Sequence, residues 1–154
     1  MVDVINFYRV SDNFGCFSNV APYPVRMDGK LWPTSEHYFQ AQKFDDAEHQ
    51  ESILQAKSPI IAARMGRDLK KPFRRDWESV KVVIMRKVVR AKLSQHDDIH
   101  QVLLSTGNAK IVEHTENDSY WGDGGDGSGK NMLGRIVMEV REELKRGSID
   151  EPAH

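Results

Sequence analysis

Hydrophobic positions along the chain recur mainly at helical spacing. Between residues 77 and 91 the apolar side chains are three or four positions apart, and residues 132–144 repeat the same steps. Both runs predict amphipathic helices that bury one face. Shorter helices are predicted over residues 34–44, 47–57, 59–69 and 99–106.

A few short strands complete the predicted set of elements. Residues 4–10 alternate between apolar and polar positions, and residues 109–113 form a second candidate strand. Asp28-Gly29 between two apolar pairs predicts a hairpin with a two-residue type I′ turn. Because strands and helices do not alternate regularly, we predict an α+β fold: a compact, helix-rich single domain over residues 1–146, with residues 147–154 as a flexible tail.

Composition and charge narrow the function classes. The chain has 154 residues, and 22 Lys and Arg face 23 Asp and Glu, which argues against a polybasic nucleic-acid-binding tail. Cys16 is the only cysteine and no signal segment is evident, so we expect a cytoplasmic protein without an internal disulfide. No apolar run has the length of a membrane span, and we expect no membrane partner.

The segment 117–131, NDSYWGDGGDGSGKN, is the first candidate for a ligand site. Five glycines lie within eight residues directly before the last predicted helix, where backbone amides and the helix dipole favour anions. The end of the segment nearly matches a nucleotide-binding P-loop, but Asn131 replaces the magnesium-binding hydroxyl and no buried strand precedes it. A calcium-binding turn and a plain surface loop are the other interpretations.

Two smaller patterns carry alternative chemistry. His96 and His100 have a metal-like spacing, but the HExxH glutamate is absent, so a solvated helix start is the simpler interpretation. Glu36 falls in the first turn of a predicted helix capped by Thr34 or Ser35, with Gln40 and Lys43 on the same face. The dipole there favours an ionised carboxylate, which suits a base, a nucleophile or a stabiliser of positive charge.

Four motifs together resemble the YbiA-like, or NADAR, family of N-glycosidases. They are FSN at 17–19, WPTSEHYFQAQKF at 32–44, RDW at 75–77 and WGDGGDGSGKNMLGRIVMEVR at 121–141. The resemblance spans roughly residues 6–145 and implies hydrolysis of an N-glycosidic bond between a ribosyl group and a base-like amine. Early phosphorylated riboflavin-pathway intermediates are the expected substrates, and no cofactor or metal is expected.

The chemistry that the resemblance implies assigns roles to particular residues. Breaking a C–N glycosidic bond passes through an oxocarbenium-like state that needs a nearby carboxylate. Glu36 is the first candidate for this carboxylate and Asp123 the second, while Lys43 either forms a Schiff base with an opened ribose or binds phosphate. The predicted substrate-binding residues are Trp32, Trp121, Asn131, Ser18, Asn19, Arg9, Gly122 and Gly129.

Two other functions stay open at the level of the sequence. The family resemblance also implies removal of ADP-ribose from guanine in nucleic acid, and a non-catalytic module that binds ADP-ribose or a nucleotide would use the same loop. Retention of Glu36 favours an enzyme over the module. A basic cluster bears on nucleic-acid binding, although a solvated helix end and linker is the simpler interpretation. The cluster consists of Arg64, Arg67, Lys70, Lys71, Arg74 and Arg75. The oligomeric state is not readable from the sequence.

Overall fold

A computed structural model describes residues 3–147 of the chain. The fold is α+β, as predicted, with six α-helices and four short strands among the described residues. The strands are β1 (Val4–Phe7), β2 (Val25–Met27), β3 (Lys30–Trp32) and β4 (Lys110–Glu113). The helices are α1 (Ser35–Ala41), α2 (Ala47–Leu54), α3 (Pro59–Gly66), α4 (Trp77–Gln95), α5 (Asp97–Ser105) and α6 (Met132–Lys145).

The chain divides into two units, the first formed by residues 1–21 and 93–154 and the second by residues 22–92. In the first unit β1 and β4 pair in parallel, with Val4 opposite Lys110 and Phe7 opposite Glu113. Helix α6 packs on β4 and buries Leu133, Ile136, Val137 and Val140. The buried face of α6 is therefore the apolar stripe that the sequence predicts.

In the second unit a hairpin, three short helices and most of α4 surround a core with several aromatic side chains. The Asp28-Gly29 turn has positive φ at both residues, 55° and 78°, which confirms the type I′ prediction. Helix α1 packs against α2 and α3. The buried residues of this unit include Trp32, Tyr38, Phe39, Phe44, Ile53 and Trp77.

Several elements end earlier than predicted, each for a local reason. Strand β1 stops at Phe7 because the amides of Tyr8 and Arg9 donate to the Asp12 carboxylate, 3.0 and 2.8 Å away. Helix α1 stops at Ala41, and the Lys43 carbonyl accepts a hydrogen bond from the Arg74 amide at 2.7 Å. The predicted tail falls almost wholly outside the described residues.

Candidate active site

Helix α1 presents a single side chain that is not buried, and that side chain is Glu36. The other six residues of the helix are buried. Thr34 caps the helix, since its hydroxyl oxygen accepts a hydrogen bond from the His37 amide at 3.2 Å. Glu36 lies in the first turn, where the helix dipole favours an ionised carboxylate.

Polar contacts on the buried side fix the position of α1. The His37 ring Nε2 lies 3.0 Å from the Ala56 carbonyl oxygen, and burial lowers the pKa of His37 although this contact opposes the shift. The Tyr38 hydroxyl donates to the Asp28 carboxylate at 3.1 Å, and burial together with Asp28 raises the pKa of Tyr38. These contacts join α1 to the hairpin turn and to the segment after α2, so Glu36 sits on a rigid support.

Gln40 contacts Glu36 directly, one turn further along α1. Its Nε2 donates to Glu36 Oε1 at 2.5 Å, and only 6% of Gln40 is exposed. Its Oε1 is buried without a hydrogen-bond partner among residues 3–147. The buried Gln40 amide is therefore one donor to the Glu36 carboxylate.

Lys43 lies two residues beyond the end of α1, in the same unit as Glu36. Its Nζ is 3.4 Å from the Gly66 carbonyl oxygen and 5.2 Å from the centre of the Phe73 ring. Burial lowers the pKa of Lys43, attraction to Glu36 opposes that shift, and repulsion from Arg67 adds to it. The amine is therefore neutral in a larger fraction of molecules than an ordinary lysine, as a nucleophilic amine requires.

The carboxylate of Asp123, the second predicted catalytic acid, forms hydrogen bonds in and beside the glycine loop. Its Oδ1 accepts from the amides of Thr115 and Gly125 at 3.0 and 2.9 Å, and its Oδ2 lies 2.8 Å from His114 Nδ1. Burial alone would raise the pKa of Asp123, but the hydrogen bonds from His114, Gly125 and Thr115 together lower it. With 7% of the residue exposed, this carboxylate anchors the loop, and its catalytic role stays a prediction.

The amides at the start of α6 already have acceptors within the loop. The Asn131, Met132 and Leu133 amides donate to the carbonyls of Gly122, Tyr120 and Trp121 at 2.9 to 3.0 Å. A phosphate at the start of α6 would have to replace these carbonyls. These three amides are therefore not open to an anion in this structure, and the anion site that the glycines suggest stays a prediction.

Asn131, Gly122 and Gly129 hold the loop together. Asn131 Oδ1 accepts from the Glu113 amide at 2.9 Å and its Nδ2 donates to the Ile111 carbonyl at 3.0 Å, which ties α6 to β4. A Cβ atom at Gly122 or Gly129 would lie within 3.0 Å of neighbouring backbone atoms. Packing thus explains these three residues, and a substrate contact from any of them stays a prediction.

The remaining predicted binding residues differ in accessibility. Trp32 is only 3% exposed, donates through its indole N–H to the Met27 carbonyl at 3.1 Å and packs edge-on against Tyr38, so the structure gives it a packing role. Trp121 is half-buried against Tyr120. Ser18 and Asn19 are buried, whereas Arg9 is exposed.

A cavity of about 600 Å³ lies beside the glycine loop, within the first unit. The sequence reasoning missed this cavity. His114, Asp123, Lys110, Lys130 and Arg135 all line it. Lys110 and Arg135 make no ion pair with any residue of the described range 3–147. Their positions on β4 and α6 follow from the tertiary pairing of these elements, and no local motif marks them.

Residues 3–147 contain neither a metal-ligand cluster nor a helix suited to a membrane. No cluster of three or more histidine, cysteine or acidic residues in this range is arranged to hold a metal ion. His96 precedes the first turn of α5 and His100 is buried in that helix. None of the helices in this range combines the length and apolar character that crossing a membrane requires.

Comparison with known proteins places the chain in a family. Residues 6–145 match the NADAR domain. The chain is 60% identical over 141 residues to the N-glycosidase YbiA of Escherichia coli (strain K12), covering 92% of this chain and 88% of that protein. An N-glycosidase of Nostoc punctiforme is 44% identical, and the match covers 92% of this chain and 92% of that protein.

Two further likenesses extend the comparison. A riboflavin biosynthesis protein of Vibrio vulnificus is 45% identical over 94% of this chain but only 40% of that longer protein. The solution structure of Escherichia coli YbiA superposes with a TM-score of 0.88 at 57% identity, covering 100% of this chain and 92% of that one. The chain belongs to the NADAR domain family. Its N-glycosidase relatives place it among the glycosidases that hydrolyse N-glycosyl compounds.

Proposed function

We propose that this enzyme cleaves the bond between ribose phosphate and the base-like amine of an early phosphorylated riboflavin-pathway intermediate, with Glu36 as the catalytic carboxylate. One observation carries the assignment: Glu36 is the only residue of α1 that is not buried, and Gln40 holds its carboxylate. The substrate class draws support from the relative in Vibrio vulnificus that is named a riboflavin biosynthesis protein.

The carboxylate has a defined task in this reaction. When the bond between ribose C1 and nitrogen breaks, its electron pair goes to nitrogen and positive charge develops on the sugar ring. An ionised Glu36 stabilises this charge and accepts a proton from the water molecule that adds to C1. The departing amine takes up the proton that Glu36 received from this water, so the products are a ribose phosphate and a free amine, and Glu36 is ionised again.

Lys43 is the second reactive group that we assign. Ribose phosphate opens to an aldehyde, and a neutral amine adds to an aldehyde to form a Schiff base with loss of one water molecule. The burial that lowers the pKa of Lys43 supports this role over simple phosphate binding, which needs only a charge. Hydrolysis of the Schiff base returns the free lysine.

In this proposal Asp123 acts by shaping its loop. Its three hydrogen-bond donors, from Thr115, Gly125 and His114, leave the carboxylate little freedom to serve as a base. Trp121 is half-buried on the same loop, and its stacking on the substrate stays a prediction. A single cysteine suits a reducing compartment, and we place the enzyme in the cytoplasm.

A surface cavity of the second unit favours a second candidate function, removal of ADP-ribose from guanine in nucleic acid. This cavity of about 700 Å³ is lined by Lys70, Lys71, Arg75 and Phe73, a residue that is 39% exposed. Basic side chains around an accessible aromatic ring suit a single-stranded backbone with a stacked base. Lys71 is also paired with Asp46 at 3.6 Å, which reduces the charge available to phosphates.

A side-by-side assay tests both functions. The purified protein is incubated with a phosphorylated aminopyrimidine riboside and, separately, with a guanine oligonucleotide that carries ADP-ribose. We expect release of ribose 5-phosphate from the first substrate, at a higher kcat/KM than release of ADP-ribose from the second. Faster turnover of the oligonucleotide would favour the second function. Binding of ADP-ribose without turnover of either substrate would indicate a non-catalytic module.

A further inference from the structure

We propose that Gln40, seated against Gly66, is the positioning residue that fixes the Glu36 carboxylate. This inference rests on the proposed function of Glu36, because a positioning role presupposes a reacting group. Gln40 is buried in α1, and its Nε2 is 2.5 Å from Glu36 Oε1. Gly66 ends α3, the helix that packs against α1.

The orientation of the Gln40 amide follows from its neighbours. If the amide were turned over, its carbonyl oxygen would face a carboxylate oxygen of Glu36, and the two acceptors would repel each other. The Nε2 donor therefore points at Glu36, which leaves Oε1 buried without a partner among residues 3–147. Buried polar atoms in folded proteins are nearly always paired, so this arrangement has a stability cost. The contact with Glu36 is a reason to retain it.

Gly66 provides the space that this arrangement needs. A Cβ atom at position 66 would lie 1.9 Å from Gln40 Oε1 and 2.7 Å from its Cδ. Gly66 is helical, so its backbone conformation does not require glycine. The absence of a side chain there is thus explained by the Gln40 amide.

Gly66 also faces the second reactive group. Its carbonyl oxygen lies 3.4 Å from Lys43 Nζ. The end of α3 therefore contacts both the amide that holds Glu36 and the amine that we assign to the sugar aldehyde. A shift at this position would change the placement of both groups, and reaction rates fall steeply with such misplacement.

The test combines two substitutions that act on Gln40 from different sides. Gln40→Met keeps the length of the side chain and removes the Nε2 donor to Glu36. Gly66→Ala keeps this donor and displaces the Gln40 amide from its Oε1 side. We expect Gln40→Met to lower kcat by about 10- to 100-fold with KM within about twofold, since misplacement of a reacting group by 1 Å has effects of this order. The acidic limb of the kcat profile should move to higher pH, because the ionised carboxylate loses a donor.

A double-mutant cycle separates positioning from general damage. If Gly66→Ala acts mainly through Gln40, it lowers kcat by a smaller factor in the Gln40→Met background than in the wild type, so the effects are not additive, and the factor that remains is the part that acts through Lys43. Gln55→Met is the matched control, because Gln55 Nε2 donates to Glu51 at 3.0 Å in the same one-turn geometry on an exposed face. The control should keep wild-type kcat and the wild-type pH profile. Additive effects, or an unchanged pH profile in Gln40→Met, would overturn the proposal.

A readout without substrate separates this proposal from the proposed function. In the NMR spectrum of the wild-type protein, the Gln40 side-chain amide signals should shift as Glu36 titrates, and Glu36→Gln should remove that shift. If the shift is present but the wild type turns over neither substrate, the proposed function fails while the contact stands. If the wild type is active but the shift is absent, the positioning role fails.

Discussion

The two units of the molecule each hold an acidic residue that a sequence motif singles out, and the two carboxylates have different surroundings. Asp123 is 7% exposed and has three donors, two of them backbone amides of its own loop region. Glu36 is half-buried on an otherwise buried helix, and its carboxylate is contacted by the Gln40 amide. A motif therefore marks a residue as important without saying whether the fold or the chemistry depends on it.

Support from the surrounding structure distinguishes the two cases. A carboxylate whose lone pairs are occupied by backbone amides stabilises the conformation of the chain. A carboxylate that is only half-buried on a rigid helix is accessible to a substrate. We therefore propose that Asp123 serves the fold and Glu36 the reaction, and the predictions below test that division.

The largest effect is expected for Glu36→Gln. Loss of the charge that stabilises the ring cation and activates water should lower kcat by about 10³-fold, within the range typical for a catalytic acid or base. The free energy of unfolding should change by no more than about 0.5 kcal/mol, because the residue is half-buried on the surface of α1. Product release and chemical denaturation measure the two quantities, and the division fails if this variant keeps wild-type kcat.

Asp123→Ala should have the opposite profile. We expect the free energy of unfolding to fall by about 3 kcal/mol, because hydrogen bonds to a charged group stabilise by about 1.5–3 kcal/mol each and are not fully additive. Since folding lowers the pKa of Asp123, its stabilisation is complete above the unfolded value of about 3.9 and is lost as the pH falls further.

Asp123→Asn is the control for this acid dependence. The amide oxygen still accepts from Thr115 and Gly125, but the group no longer titrates. Its unfolding free energy should therefore depend less on pH below about 4 than that of the wild type. If Asp123→Ala keeps wild-type stability but loses turnover, Asp123 belongs to the reaction.

Lys43 gives a covalent test of the chemistry. Incubation with ribose 5-phosphate and borohydride should trap a reduced Schiff base on Lys43, which peptide mass spectrometry locates. Lys43→Arg keeps the charge and removes the nucleophilic amine, so it should prevent trapping. Undiminished trapping in Lys43→Arg, or trapping at another lysine, would contradict the assignment of the amine to Lys43.

Two glycines of the glycine loop, Gly127 and Gly129, allow a comparison of two alanine substitutions by their loss of stability. Gly129→Ala places a Cβ 2.6 to 2.8 Å from backbone atoms of residues 119, 122 and 123, and should cost about 2–3 kcal/mol of stability through overpacking. A Cβ atom at Gly127 would have no atom within 4 Å, but the residue has a positive φ of 85°. Gly127→Ala should therefore lower the free energy of unfolding by about 1 kcal/mol. Thermal unfolding ranks them, and equal costs would contradict the close packing of the loop.

Local signals account for the parts of the fold that the sequence predicts correctly. The Asp28-Gly29 turn and the Thr34 cap each depend on a few neighbouring residues, and both are present. The apolar stripe of α6 likewise predicts its buried face. Parallel pairing of β1 with β4 joins distant parts of the chain, and no short pattern encodes it.

The candidate site follows the same rule. Glu36 and Gln40 are one helical turn apart, so their contact can be expected from spacing. The partners of Asp123 could not be predicted in this way, because His114 reaches it only when β4 and the loop are in place. Glycine density suggested an open cradle, whereas Gly122 and Gly129 permit close packing of backbone on backbone.

Chemical rescue tests the central claim most directly. In Glu36→Ala, a small carboxylate such as formate can enter the space that the side chain leaves. We expect added formate to restore release of ribose 5-phosphate in a concentration-dependent manner, while Asp123→Ala, whose defect lies in folding, gains nothing. Failure of formate to restore any activity to folded Glu36→Ala, or equal rescue of both variants, would contradict the assignment of the catalytic carboxylate to Glu36.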